Sequence, residues 1–214
     1  MTINEKIMLC AVRAADGGAR LLLDVTRGEG EDKRRETLCV FAARLGYVPV
    51  CGTVSPDTYA EFVHEASVCE AVTLGLRLLS YSGVSRARLI EKMRVRGVSA
   101  ATAREAADLL ASEGYLDETE SALAAMRGDL AKLWGDKRIL QDLAAKGYRG
   151  AALEGVKEML RGENAAKRCA KLIKKRHMEL PQEEEDIARF AAVLMRYGYT
   201  VREIKQALEE IAEF

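Results

Sequence analysis

The sequence predicts a mainly α-helical protein, an elongated tandem array of three three-helix repeats behind a small N-terminal α+β extension. The first observation is a ten-residue pattern that opens with Arg, carries a large apolar residue five positions on, and closes with Gly. It occurs at Arg88–Gly97, Arg138–Gly147 and Arg189–Gly198. The second is that apolar residues recur only at helical spacing from about residue 71 onward. The third is that apolar stretches flank a Gly-rich turn before residue 70.

The first part of the extension is predicted to be a hairpin. Residues 6–14 and 19–26 are two apolar stretches separated by Asp16-Gly17-Gly18. Such a tripeptide suits a tight turn between antiparallel strands. Since two strands are not stable alone in water, we expect them to pack on helices from the same segment, residues 1–70.

Two helices are predicted in the rest of the extension. Residues 36–46 are expected to form one that stops at Gly46, because glycine tolerates the left-handed conformation of a helix end. Ser55 is expected to cap another, with Pro56 as its first residue, which runs to Phe62. The extension is therefore predicted to be a small α+β domain.

Three helical units follow, with predicted boundaries at 71–120, 121–164 and 165–214. Each consists of an earlier helix, the ten-residue pattern, and a further helix after the closing glycine. One such unit is too small to bury its own apolar stripe, whereas stacked neighbours bury a continuous core. The repeat length of about fifty residues differs from the common 33- and 34-residue helical repeats.

The ends of these helices carry recognisable capping residues. Each closing glycine is predicted to adopt a left-handed C-terminal cap, with the next residue folded back on the helix. Ser85 and Asp136 are predicted to be N-caps of the first two patterns. Thr200 and Glu203 have the spacing of a capping box.

Three motifs carry a family resemblance. They are GYLDE (Gly114–Glu118), WGDKRILQDLAAKGY (Trp134–Tyr148) and RFAAVLMRYGYTVREI (Arg189–Ile204). In this order and spacing they are similar to the RecX family, over about residues 71–211. The resemblance implies a non-enzymatic regulator that binds the RecA recombinase filament on single-stranded DNA and inhibits its ATPase and strand-exchange activities. Such a protein is a negative modulator of homologous recombination and of the SOS response.

Composition argues against several other classes. The five cysteines contain no C-x-x-C pair, the two histidines have no neighbouring ligand set, and no phosphate-binding loop occurs. We therefore predict no catalytic residues, no cofactor and no metal site. No apolar run approaches the about 18 residues that span a bilayer, and no signal-peptide pattern is present. The sequence thus predicts a cytoplasmic monomer that makes no contact with membranes.

Charge is unevenly distributed although the net charge is zero. Residues 121–180 contain 14 basic and 7 acidic residues, an excess of +7, which is densest at 165–177. This run is either a solvated helix face or a contact with DNA phosphates or an acidic protein, and the family resemblance favours the contact. The predicted contact residues are Lys132, Lys137, Arg138, Lys167, Arg168, Lys171, Lys174, Lys175 and Arg176.

One alternative function stays open, that of an independent DNA-binding helical protein without sequence specificity. A helix, a glycine turn and a second helix also describe the helix-turn-helix. The second helices, however, begin with small apolar residues such as Ala100 and Ala151 rather than with base-reading Arg, Asn or Gln. With the RecA filament as the main partner, single-stranded DNA is expected to be bound weakly or through the filament.

Overall fold

The structure is a computed structural model that describes residues 6–30, 33–181 and 184–212 of the chain. In these ranges the fold is mainly helical with an N-terminal sheet, as predicted. The strands are β1 Ile7–Ala15, β2 Arg20–Arg27, β3 Arg34–Phe41 and β4 Gly52–Thr53. The helices are α1 Ala42–Leu45, α2 Pro56–Leu79, α3 Arg86–Arg94, α4 Ala100–Ser112, α5 Glu118–Ala131, α6 Asp136–Ala145, α7 Gly150–Arg161, α8 Ala165–Lys175, α9 Glu184–Arg196 and α10 Val201–Ala212.

The chain forms two compact units. Among the described residues, the first contains those up to Tyr81 together with Leu89–Tyr115, and the second contains Ser82–Arg88 and those from Leu116 onward. The division falls within α3. The repeat boundaries expected from the sequence remain predictions.

The N-terminal sheet of the first unit is antiparallel, with strand order β3-β2-β1-β4. Strands β1 and β2 pair from Ile7 opposite Arg27 to Ala15 opposite Arg20, with a register shift between Leu9 and Ala11. The turn between them places Gly17 at φ +68, a left-handed conformation that glycine adopts without steric cost. The predicted hairpin is confirmed.

The helix predicted over residues 36–46 is wrong for most of its length. Residues 34–41 instead form β3, which pairs with β2 from Arg20 opposite Phe41 to Arg27 opposite Arg34. Alternate residues of the strand, Leu38 and Val40, pack in the core beneath the sheet. The short helix α1 does end at Gly46, whose φ of +71 confirms it as a helix stop.

Helix α2 starts where the sequence predicts but continues far beyond Phe62. The Ser55 hydroxyl accepts a hydrogen bond from the Thr58 amide at 3.1 Å, which confirms the N-cap. No breaker interrupts the next residues, so the helix runs on to Leu79. Phe62 lies in the core beneath the sheet, while the later part of the helix packs against α4. A Cβ at Gly75 would lie 2.5 Å from Leu110 Cδ1, so the glycine permits this close packing.

The second unit contains two clusters of three helices. Helices α5, α6 and α7 bury one set of apolar side chains, and α8, α9 and α10 bury another. The Asp117 carboxylate caps α5 by accepting from the Glu120 amide at 2.9 Å. The next residue, Glu118, accepts from the Arg86 amide at 2.8 Å and so satisfies the first turn of α3. The acidic pair of the GYLDE motif therefore has a structural role.

The three closing glycines have almost the same backbone conformation. Gly97, Gly147 and Gly198 lie at φ +91, +92 and +93. In each case the following amide donates to the carbonyl five residues earlier, as in a Schellman motif. These bonds are Val98 to Met93 at 3.2 Å, Tyr148 to Leu143 at 3.1 Å and Tyr199 to Leu194 at 3.3 Å. The predicted left-handed caps are confirmed.

Two of these glycines sit against the start of another helix. Gly147 lies beside Ser85, and Gly198 lies beside the backbone of Arg138. At the second contact the Gly135 amide donates to the Tyr197 carbonyl at 2.8 Å. A Cβ on Gly135 would lie 2.4 Å from the backbone of Gly198. This explains why Gly135, and not the predicted Asp136, is the N-cap of α6.

Ser85 is expected to contribute more stability than an ordinary helix cap. Its hydroxyl accepts from the Arg88 amide at 3.1 Å and donates to the Lys146 carbonyl at 2.6 Å. The side chain is buried, so Ser85→Ala should lower the free energy of unfolding by about 2 kcal/mol.

Ser99→Ala is the matched control for that prediction. Ser99 caps α4 through the Thr102 amide at 3.1 Å but is exposed, and its loss should cost about 1 kcal/mol. Urea denaturation of both variants measures the difference. Equal losses would show that the Lys146 bond contributes nothing.

Candidate polyanion-binding surface

Helix α8 presents one buried face and one basic face. Cys169, Leu172 and Ile173 are buried in the core of the α8–α10 cluster. The four lysines at positions 167, 171, 174 and 175 are all exposed. Spacings of three and four residues place them along one side of the helix, as the sequence predicts. We call Lys167, Lys171, Lys174 and Lys175 the basic face.

Local structure explains part of this arrangement. The Asn164 side chain starts α8 by accepting from the Lys167 amide at 2.9 Å. Lys174 and Lys175 lie in the last turn, where cations interact favourably with the negative end of the helix dipole. Lys167 and Lys171 gain nothing from that dipole, because they lie further from the helix end.

Arg168 differs from the other predicted contact residues. Its side chain is only 7% exposed and is paired with the Asp136 carboxylate. Its Nε atom also donates to the Trp134 carbonyl at 2.9 Å. Burial raises the pKa of Asp136 even though Arg168 opposes the change. Arg168 thus joins α8 to the start of α6 and is not available to a partner.

A cluster of cations and aromatic rings lies in the same unit. The Trp134 ring is contacted by Lys132 Nζ at 4.5 Å and by Arg138 Cζ at 4.1 Å from its centroid. The Tyr197 ring is contacted by Arg138 Cζ at 5.6 Å and by Arg176 Cζ at 5.7 Å. We call these five residues the cation–aromatic cluster. Arg176 directly follows the last residue of α8, so the cluster continues from the basic face.

The cluster holds its cations in fixed positions at the surface. Cation–π contacts contribute about 0.5–1 kcal/mol each at exposed sites and restrict the rotation of long side chains. Arg138 Nη1 is further held by the Arg196 carbonyl at 3.2 Å. Lys132 pairs with the buried Asp129 carboxylate at 2.7 Å, yet its side chain remains 53% exposed. Fixed cations lose less conformational entropy when they bind an anion, which favours phosphate binding.

The structure therefore brings together most of the predicted contact residues but not all. Lys132, Arg138 and Arg176 belong to the cation–aromatic cluster, and the four lysines form the basic face. Lys137 is exposed in the first turn of α6. Sequence reasoning did not assign Trp134 and Tyr197 to this surface. The only available signal was their position, one residue before Gly135 and Gly198 respectively.

A second group of titratable residues lies in the first unit. Ligand atoms of His64, Glu65 and Glu105 lie within 4.8 Å of one another. The Arg44 guanidinium, however, donates to Glu65 at 2.5 and 2.8 Å and to Glu105 at 2.5 Å. Arg44 pairs with both carboxylates, and His64 Nε2 lies 3.1 Å from Glu105, so these contacts account for the cluster without a metal.

Helix α9 starts at Glu184, within the acidic sequence run at 183–186. Acids at a helix N-terminus are stabilised by the helix dipole, so the run needs no metal to explain it. Glu183 itself lies outside the described residues. In the described ranges, no helix combines the length and the apolar character needed to cross a bilayer.

The chain is similar to proteins named RecX in both sequence and fold, although no family model matches it. It is 27% identical over 132 residues to a "Regulatory protein RecX" of Halorhodospira halophila, covering 62% of this chain and 82% of that protein. A crystal structure of regulatory protein RecX superposes with a TM-score of 0.73 at 15% identity, covering 95% of this chain and 99% of that one.

A second solved structure agrees. RecX from Lactobacillus salivarius matches with a TM-score of 0.59 at 16% identity, over 69% of this chain and 98% of that one. At such identities the structural matches show the fold, and the relative from Halorhodospira halophila adds similarity in sequence. Together they confirm the resemblance to the RecX family that the three motifs carry.

Proposed function

We propose that this protein regulates recombination by binding the RecA recombinase filament on single-stranded DNA and inhibiting its ATPase and strand-exchange activities. The observation that carries the proposal is that a chain similar to RecX proteins presents the basic face and the cation–aromatic cluster, which suit a target with phosphate groups. The protein acts by binding and carries out no chemistry of its own.

The electrostatics of the second unit support a polyanionic target. The basic face and the cation–aromatic cluster together present seven of the nine predicted contact cations. Each Lys or Arg that neutralises a phosphate releases condensed counterions, which favours binding at low salt. A recombinase filament contains a DNA strand, so phosphates and acidic protein surfaces are both available to such cations.

Inhibition of the recombinase ATPase is the expected result that tests this function. The purified protein should hydrolyse no ATP alone and should lower the single-stranded-DNA-dependent ATPase rate of its cognate recombinase in proportion to the amount added. The rate of ADP release, followed by a coupled assay, measures this. An unchanged rate at several-fold molar excess would contradict the proposal.

Added DNA separates this function from simple DNA binding. A protein that only sequesters single-stranded DNA would lose its effect when more DNA is supplied, because free sites would become available to the recombinase. A filament-binding regulator should still inhibit when DNA is in excess. Inhibition that disappears with added DNA would favour the independent DNA-binding protein.

A further inference from the structure

Two cysteine side chains meet within the first unit. Cys39 lies on β3 and Cys69 on α2, and their Sγ atoms are 3.8 Å apart. Helix α2 packs directly against β3, so the contact belongs to the packing of the sheet on its helix. Cys10 and Cys51 are exposed and Cys169 is buried in α8. Among the described residues, the pair of Cys39 and Cys69 is the only close contact between thiols.

The pair opens onto a cavity. The space has a volume of about 510 Å³ and contains both sulfur-bearing side chains in its wall. Cys39 is partly exposed there, whereas Cys69 is buried. Arg20, Glu70 and Arg77 also line the cavity. A small polar oxidant can therefore reach Cys39 through this cavity.

We propose that Cys39 and Cys69 are a redox modification site, at which a peroxide converts the two thiols into a reversible disulfide between β3 and α2. The proposal does not depend on the function suggested above. No other pair of described cysteines offers the necessary proximity.

The reaction has two steps. The Cys39 thiol loses its proton and its sulfur attacks one oxygen of the peroxide. The O–O bond breaks, the leaving hydroxide takes up that proton to form water, and Cys39 becomes a sulfenic acid. The Cys69 sulfur then attacks the Cys39 sulfur, and the sulfenic oxygen leaves as water with the Cys69 proton. With hydrogen peroxide, two thiols and one peroxide give one disulfide and two waters, and two electrons pass from the sulfurs to the oxygens. A dithiol reductant reverses the change.

The order of the two cysteines follows from their surroundings. Burial, followed by the neighbouring Cys39, raises the pKa of Cys69 to about 12, so Cys69 is a thiol at neutral pH. It is unsuited to attack a peroxide but lies beside the sulfur that becomes oxidised. Bond formation brings the two sulfurs to about 2.0 Å, which needs a movement of less than 2 Å shared between β3 and α2.

The test uses the full chain with Cys10→Ser and Cys51→Ser, which removes the exposed thiols. After treatment with hydrogen peroxide, unfolding and alkylation, mass spectrometry should show the loss of two hydrogens and a linked pair of peptides containing Cys39 and Cys69. Dithiothreitol should abolish the link. Because the disulfide closes a loop in the unfolded chain, the Tm of the oxidised protein should rise by several degrees.

Cys39→Ser and Cys69→Ser variants in the same background are the controls. Their Tm should not respond to peroxide, and Cys169 should remain available to alkylation after unfolding in every sample. The proposal is overturned if Cys39 accumulates sulfinic acid without the linked peptides. It is equally overturned if Cys39 and Cys69 stay fully alkylatable under conditions that oxidise an exposed thiol.

Discussion

Replacing Gly198 by alanine is expected to destabilise the protein by more than about 3 kcal/mol, far more than the same change at Gly97. Both glycines lie in the left-handed region, at φ +93 and +91, so alanine introduces a similar backbone strain of about 1 kcal/mol at each. The neighbours differ. A Cβ on Gly198 would lie 2.4 Å from the backbone nitrogen of Arg138, whereas a Cβ on Gly97 meets nothing within 4 Å.

Gly147 completes the series between these two extremes. Its φ is +92, and a Cβ there would lie 2.8 Å from Ser85 Oγ and 3.0 Å from Ala87 Cβ. Gly147→Ala should therefore cost about 2 kcal/mol, since side chains yield more easily than backbone. Guanidinium denaturation of the three variants measures the order. Equal losses at all three positions would show that strain alone sets the cost and that the close contacts are unimportant.

Reversing the charge of Lys171, Lys174 and Lys175 to Glu is expected to weaken filament binding at least tenfold. The three ammonium groups lie on the exposed basic face, where each can neutralise a phosphate. The slope of log affinity against log salt should fall in magnitude by about 2 if all three contact a single strand. Fluorescence anisotropy of labelled DNA in the filament, titrated at several salt concentrations, measures both quantities.

A second triple variant controls for net charge. Reversal of Arg94, Arg96 and Arg104, which are exposed in the first unit, changes the total charge by the same amount. This variant should bind with nearly unchanged affinity and salt slope. Both variants should stay folded, and the lysine variant should lose only a few degrees of Tm, because its positions are exposed and only Lys174 and Lys175 interact with the α8 dipole. If the lysine variant retains wild-type affinity, the basic face is a solvated surface and the filament is bound elsewhere.

The repeated helices could be predicted well because their signals are local. The apolar stripe, the glycine cap and the Thr200–Glu203 capping box each depend on residues within one or two turns. In the structure the Thr200 amide donates to Glu203 at 2.7 Å and the Glu203 amide donates to Thr200 at 3.3 Å, as predicted. Local rules of this kind succeed wherever neighbours in sequence are also partners in space.

The failures arise where the partner is distant in sequence. Residues 36–41 form a strand because β2 offers them a complete ladder, which overrides any local helical preference. The N-cap of α6 is Gly135 and not Asp136, because the backbone of Gly198, far along the chain, leaves no room for a Cβ at position 135.

In the candidate site, too, features set by neighbouring residues could be predicted and those set by distant residues could not. The spacing of the lysines predicts the basic face, since helical geometry alone places them together. Arg168 falls on the buried side because Asp136 and the Trp134 carbonyl, more than thirty residues earlier, accept its hydrogen bonds. The contacts of Arg138 with Trp134 and Tyr197 also depend on the close backbone contact between Gly135 and Gly198. No local sequence pattern predicts that contact.

The length of α2 has a consequence for cooperativity. At 1.5 Å per residue its 24 residues form a rod of about 36 Å that is shared by the sheet and by α4. Unfolding of α2 at one end would weaken its packing at the other end as well, because the contacts with the sheet and those with α4 are made by the same continuous helix. The sheet and α4 therefore belong to one folding unit, in which local opening at one end is penalised by packing at the other.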